Sequence, residues 1–180
     1  EEQCNRFLEY WQTNEFKIFK FTLDKKVDDI RSFYESLFNF IGIPKSIAED
    51  ASIKDRPKQR TGGIWLPVCY DPSYVDAYRH SNQNQPLHTD FSYISQSPNA
   101  SFFCCIKNIA KGGETIFLDS NILSKILLEY DETLFNYITE NDIEHTRSGD
   151  KKVDKILKKH EGKWYVNWNY YCVNDKNSKN

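Results

Sequence analysis

The stretch QPLHTDFSY at residues 85–93 places a histidine and an aspartate two positions apart in an apolar, aromatic run. In an extended strand, residues i and i+2 point to the same side, so His88 and Asp90 would share a face there. An imidazole and a carboxylate aimed at one point can bind a divalent metal, and they provide two of the three ligands in the facial triad of non-haem Fe(II). The same spacing also suits a simple hydrogen-bonded pair, and for an isolated motif that alternative is favoured.

The segments around this pair have the patterns of strands. Strands are predicted at residues 16–21, 64–70, 86–94, 101–109, 114–118, 143–147 and 163–173. Helices are predicted at 25–40, with Asp24 as N-cap and one face on a sheet, and at 122–129 and 132–138, the last capped by Asp131. Many strands and few helices, without a βαβ alternation, favour a mainly β fold with flanking helices (α+β), built as an antiparallel sandwich or barrel.

The composition of the sequence narrows the classes of protein to which it can belong. A length of 180 residues suits a single domain, residues 1–180, and a formal net charge of -2 gives no attraction for nucleic acid. No apolar run is long enough for a membrane span, and the first residues lack the pattern of a signal peptide, so a cytoplasmic protein is expected. Five cysteines without a CxxC pair suggest neither a disulfide framework nor a thiolate zinc site.

Three segments together resemble a known family. HTDFSY, then SFFCCIKNIAKGGETIFLDS, then YVNWNYYC are similar to the taurine dioxygenase-like (TauD/TfdA) branch of the Fe(II)- and 2-oxoglutarate-dependent dioxygenases. By this resemblance His88 and Asp90 match the first two iron ligands, and Thr115 matches a threonine that hydrogen-bonds the co-substrate. Asn84 matches an asparagine near the substrate. Gly112 and Gly113 are interpreted independently as a turn that needs positive φ.

The resemblance implies a double-stranded β-helix (jelly roll, clavaminate synthase-like) with Fe(II) at its open end and 2-oxoglutarate as co-substrate. It also implies an oxidoreductase that most simply hydroxylates a small amino-acid-like or carboxylated metabolite, free or tethered to a carrier, with no nucleic-acid or membrane partner. A hypothesis of a different class is a catalytically silent β-helix protein that binds a metal or a small molecule in its cavity.

The second iron-binding histidine and the arginine that pairs with 2-oxoglutarate are not evident. After His88 the sequence has only His145 and His160, both earlier than the family places its second histidine. The expectation is therefore that the chain lacks the C-terminal part of the β-helix and that both residues lie beyond Asn180. The alternative is a prolyl-hydroxylase-like arrangement in which His145 completes the triad, although a histidine on a strand at a surface or interface is favoured for this position.

Two basic clusters have both a functional and a simpler interpretation. The first lies where this family often has a mobile lid. It would either recruit an anionic substrate or form a solvated loop, and the solvated loop is favoured. Its residues are Lys54, Arg56, Lys58 and Arg60. The second flanks apolar residues in a pattern that predicts one solvated helix face; it contains Lys151, Lys152, Lys155, Lys158 and Lys159.

Overall fold

A computed structural model describes residues 2–13, 18, 20, 22, 28–45, 64–74, 78–107, 111–147 and 149–173. The chain divides into two compact units, one formed by Glu1–Ile47 with Thr61–Leu66 and the other by Ala48–Arg60 with Pro67–Asn180. The first basic cluster and most of the strand predicted at 16–21 lie outside the described residues.

The first unit contains two helices, α1 (Glu2–Thr13) and α2 (Ile30–Ile41). Helix α2 begins later than predicted because Asp29, and not Asp24, is its N-cap: the Asp29 carboxylate accepts hydrogen bonds from the backbone N–H and the hydroxyl of Ser32. Gly42 ends the helix as predicted, and its N–H donates to the Phe38 carbonyl at 2.8 Å.

Aromatic contacts build the core of this unit. Tyr34 and Leu37 on α2 are buried, as is Phe7 on α1, and the two helices are in contact. The indole of Trp65 lies 6.0 Å from the Tyr34 ring and donates to the Glu35 carboxylate at 3.1 Å. Within the described residues, α2 therefore packs on a helix and an indole, and the predicted packing on a sheet is not seen there.

In the described part of the second unit, two short 3₁₀ helices (Pro72–Tyr74 and Tyr78–His80) precede two consecutive α-helices, α3 (Ser120–Tyr130) and α4 (Glu132–Glu140). The Asp119 carboxylate caps α3 by accepting from the N–H groups of Asn121 and Ile122. Asp131 caps α4 by accepting from the Leu134 N–H at 2.9 Å, as predicted. Both predicted helices are confirmed because local caps and periodicity define them.

Two antiparallel hairpins follow the helices. Strand β1 (Asp142–Arg147) pairs with β2 (Asp150–Lys155), and β3 (Leu157–His160) pairs with β4 (Lys163–Val166). The two-residue loop between β3 and β4 has positive φ at Glu161 (49°) and Gly162 (81°), which is the pattern of a type I′ turn. All five lysines of the second basic cluster therefore lie on strands β2 and β3, so the prediction of a helix face there is wrong.

The predicted double-stranded β-helix is not seen in the described part of the chain, which forms an α+β arrangement of four α-helices and these hairpins with no closed barrel. Residues 64–70, 86–94, 101–107 and 114–118 are not strands, and the predicted strand at 163–173 stops at Val166. An alternating apolar pattern indicates which face of a strand would be buried. A strand forms, however, only where a partner segment takes up its backbone N–H and C=O groups.

Among the described residues, no helix has the length and apolar character needed to cross a membrane.

Candidate functional site

His88 lies in an irregular segment just before a turn, and Asp90 is the first residue of that turn; residues 88–93 are called the His88–Asp90 turn below. Residues 90–93 form this turn, with the Ile94 N–H donating to the Phe91 carbonyl at 3.0 Å and Phe91 at φ 61°. The prediction that His88 and Asp90 share one strand is therefore wrong.

The two side chains nevertheless converge. His88 Nε2 lies 3.3 Å from Asp90 Oδ1, and the side chains are 24% and 54% exposed, so an ion from solvent can reach the pair. His88 Nδ1 lies 2.8 Å from the Pro86 carbonyl oxygen, which can only accept, so Nδ1 carries a proton. In the neutral ring, Nε2 then holds a lone pair that faces Asp90 and the Gln85 amide nitrogen at 3.1 Å.

Asp90 controls the protonation of His88. The hydrogen bond from the ring to the Asp90 carboxylate raises the pKa of His88, an effect that partial burial opposes and the Pro86 carbonyl reinforces. The carboxylate thus favours positive charge at Nε2. A proton can supply that charge, and so can a metal cation bound to the deprotonated nitrogen.

The pair fits two ligands of a first-row divalent ion. Two donor atoms at neighbouring coordination positions lie about 3 Å apart, since each bond to nitrogen or oxygen is about 2.1 Å long. The 3.3 Å between Nε2 and Oδ1 is close to this value. Donation of the other ring N–H to a backbone carbonyl, as His88 does to Pro86, is the usual way in which a metal-binding histidine is oriented.

The described residues provide no third ligand beside His88 and Asp90. They contain no group of three or more His, Cys, Asp or Glu able to hold a metal ion. His145 in particular does not join His88 and Asp90, so the early-histidine triad is not formed.

His145 is a core residue of the second unit. It lies on β1 as expected, but it is completely buried, so its interpretation as a surface histidine is wrong. Its Nδ1 is 3.5 Å from the Asn167 amide nitrogen, its ring meets Trp168 edge to face at 6.3 Å, and its Nε2 has no hydrogen-bond partner in the described structure. Burial lowers the pKa of His145, because the imidazolium would lose its hydration there.

Comparison with known proteins identifies the family. The family model described as "Taurine catabolism dioxygenase TauD, TfdA family" matches residues 9–167, most of the chain. The chain belongs to the TauD/TfdA family. No curated protein and no solved structure shows significant similarity to it.

Membership of the TauD/TfdA family confirms the resemblance seen in the sequence motifs. The family generally comprises Fe(II)/2-oxoglutarate dioxygenases, which suggests an oxidoreductase of this type and implies a jelly-roll fold. The matched region contains the His88–Asp90 turn and the GGET segment that precedes α3.

The two further predicted site residues of this TauD/TfdA chain lie on exposed loops. Gly112 and Gly113 have φ of 87° and 83°, which confirms the predicted positive φ at both positions, and Thr115 follows in an exposed, irregular segment. Asn84 is exposed and precedes the turn. Within the described structure, neither residue is hydrogen-bonded to His88 or Asp90. Their roles with co-substrate and substrate stay predictions.

Sequence reasoning missed the neighbours that orient the pair. Gln85 and Pro86 precede the histidine by three and two residues, and each contacts one of its ring nitrogens. Thr89 lies between the two candidate ligands, and its hydroxyl makes hydrogen bonds to the backbone of Trp168. The signal available in the sequence is the polar side chains of Gln85 and Thr89 near the ligands, whereas the Pro86 contact is made by a backbone carbonyl and has no such signal.

Proposed function

We propose that this TauD/TfdA protein is an Fe(II)/2-oxoglutarate-dependent dioxygenase that hydroxylates a small amino-acid-like or carboxylated metabolite. The observation that carries the proposal is that the family match includes the turn in which His88 Nε2 and Asp90 Oδ1 approach to 3.3 Å. The family supports the class of reaction, and the donor set supports the metal.

His88 and Asp90 would hold the iron, one through a neutral nitrogen and one through a carboxylate. The bound metal, together with 2-oxoglutarate and oxygen, would supply the oxidation of a substrate C–H bond while the co-substrate is converted to succinate and CO2. The protein's own contribution begins at the His88 ring, because the Pro86 carbonyl keeps the proton on Nδ1 and leaves the Nε2 lone pair available.

Gln85 and Asp90 complete the surroundings of this nitrogen. The Gln85 amide can donate to Nε2 when no cation is bound there, which satisfies the lone pair. The Asp90 carboxylate compensates positive charge at His88 Nε2, so the two side chains together are suited to binding a cation.

The proposal assigns co-substrate and substrate contacts to the two exposed loops. The Thr115 hydroxyl would hydrogen-bond 2-oxoglutarate, and the turn at Gly112 and Gly113, which needs positive φ, would set the path of the chain into Thr115. Asn84 would contact the substrate from the segment that leads into the His88 turn. The substrate is a small molecule, free or tethered to a carrier.

Turnover with labelled oxygen tests the reaction class. The full chain would be supplied with Fe(II), ascorbate, 2-oxoglutarate and a panel of amino acids and small carboxylates under ¹⁸O₂. We expect succinate to form with one labelled oxygen atom, in step with a product that carries a second. If succinate formation stays at the level of free iron with every compound, the dioxygenase assignment is contradicted and a silent metal- or small-molecule-binding protein is favoured.

A further inference from the structure

We propose that Thr89 is a positioning residue of the candidate iron site, because its hydroxyl fixes the His88–Asp90 turn to the backbone of Trp168. This inference rests on the proposed function. It assigns to the residue between the two ligands a task that neither the motif nor the family match gives it.

Three hydrogen bonds join Thr89 to Trp168. The Thr89 N–H donates to the Trp168 carbonyl at 2.6 Å, and the Thr89 hydroxyl donates to the same carbonyl at 3.2 Å. The Trp168 N–H donates to the Thr89 hydroxyl oxygen at 2.9 Å. The threonine side chain therefore satisfies the backbone N–H of Trp168, which a carbonyl of a partner strand would otherwise do.

This contact matters because the turn is not part of a strand ladder. Its backbone takes a left-handed conformation at Phe91, so an extended partner strand cannot run alongside it. His88 and Asp90 are the immediate neighbours of Thr89, and a small rotation of the backbone at Thr89 would change the direction of both ligand side chains. A site of this kind needs its ligands within about 0.5 Å of their working positions.

Trp168 is a firm anchor for the turn. The neighbouring Asn167 N–H donates to the Ile156 carbonyl at 2.8 Å, and the buried Asn167 side chain accepts from Lys152 Nζ at 3.2 Å. The Trp168 ring packs edge to face on the buried His145. The hydroxyl of Thr89 thus connects the exposed ligand pair to the buried polar residues of the second unit.

The inference predicts that the hydroxyl, and not the bulk of the side chain, is needed. Thr89→Val has nearly the same shape, keeps the backbone bond to Trp168 and removes both hydroxyl bonds, whereas Thr89→Ser keeps the hydroxyl. Loss of a group that orients metal ligands typically costs 10- to 100-fold in metal affinity. We expect at least a 10-fold weaker Fe(II) affinity for Thr89→Val and an affinity close to that of the native protein for Thr89→Ser.

The measurement is an anaerobic Fe(II) titration of the full chain at saturating 2-oxoglutarate, followed by the visible metal-to-ligand charge-transfer band. Thr139→Val is the matched control, since the Thr139 hydroxyl also donates to backbone carbonyls but lies on α4, and its midpoint should equal the native one. Thr89→Ala is a second variant without the hydroxyl, and circular dichroism reports whether each variant folds.

Each outcome decides the matter. A folded valine or alanine variant that binds Fe(II) at native affinity, or a serine variant that is as weak as valine, overturns the role of the hydroxyl. Unfolding of both hydroxyl-free variants while Thr89→Ser stays native would show that the hydroxyl holds the fold, which also overturns a positioning role. If the native protein itself gives no band, the proposed function fails, and that result is distinct from equal bands in native protein and variants.

Discussion

At the scale of single residues, the His88 ring is held on both of its nitrogens. The Pro86 carbonyl accepts the Nδ1 proton, while the Gln85 amide and the Asp90 carboxylate face Nε2. A ring fixed in one tautomer with its lone pair beside a carboxylate is prepared for a cation, and it needs no rotation to accept one. The same contacts make Asp90 the residue whose loss should be most damaging.

Replacing Asp90 by alanine should remove one iron ligand and the charge that favours a cation at Nε2. Fe(II) affinity should fall by more than about 100-fold, which is a larger loss than usually follows removal of a residue that only orients a metal ligand. Succinate formation coupled to product should be abolished. Asp142→Ala is the matched control, because this exposed carboxylate only approaches Lys155 at 4.0 Å. Undiminished coupled turnover in Asp90→Ala would exclude Asp90 as a ligand.

His145 should make stability depend on pH in the mildly acidic range. Its pKa is below 6.5 in the folded protein because of burial, so between the two pKa values the unfolded chain binds more protons. The contribution of His145 to the free energy of unfolding should therefore be fully present above pH 6.5 and decrease as the pH falls below it. The raised pKa of His88 has the opposite effect on the pH dependence of the free energy of unfolding.

The contribution of His145 can be isolated by comparing the native protein with His145→Gln in urea denaturation between pH 5 and 7.5. The variant should be less stable at neutral pH, but its stability should decrease less on acidification. Parallel pH profiles for the two proteins would show that His145 is not held in its neutral form by the fold.

At the scale of elements, the sequence predicts three of the four described α-helices and misses α1, whereas most of the predicted strands are not seen in the described residues. Helices α3 and α4 are specified locally, since Asp131 and the apolar periodicity both lie within the segment. A strand is specified by its partner, which can lie anywhere in the chain. The HTD segment shows this, because its alternation predicted a strand whereas its backbone turns at Phe91 and bonds to Trp168. The approach of His88 to Asp90 was predictable because only a single residue separates them.

The hairpin of β1 and β2 contains a charge cluster centred on Asp154. Its carboxylate is 17% exposed and contacts Lys152 Nζ at 3.2 Å and Lys158 Nζ. Burial alone would raise the pKa of Asp154, but the hydrogen bonds from Lys158 and Lys152 outweigh it and hold this pKa below its usual value. The cluster therefore contributes stability above about pH 3.8, and that contribution is lost as the pH falls through the lowered pKa.

Asp154→Asn should lower the free energy of unfolding by about 1–2 kcal/mol at pH 7, the size expected for hydrogen bonds to a charged group. Asp142→Asn, at the exposed end of the same hairpin, should change it by less than about 0.5 kcal/mol. Chemical denaturation of both variants at pH 7 gives the comparison. Equal effects at the two positions would contradict the view that the Asp154 contacts are the stabilising ones.

At the scale of the whole molecule, the family was recognisable from three motifs, while the barrel that the family implies could not be derived from them. The TauD/TfdA match spans residues 9–167, yet the described residues form α-helices and two hairpins without a closed barrel. Several large apolar side chains of the segments predicted as strands are exposed, among them Phe103, Ile106 and Ile116. The pairing of these segments into a sheet would depend on partners far along the chain, and a pattern within one segment does not specify such pairing.

Anaerobic binding of Fe(II) and 2-oxoglutarate tests the central claim most directly, because it needs neither the substrate nor turnover. The full chain would be titrated with Fe(II) in the presence of 2-oxoglutarate and the visible spectrum recorded, with succinate in place of 2-oxoglutarate as the control. Our account predicts a weak charge-transfer band that requires both components and disappears in Asp90→Ala. Absence of the band in folded native protein, or an equal band in Asp90→Ala, would contradict it.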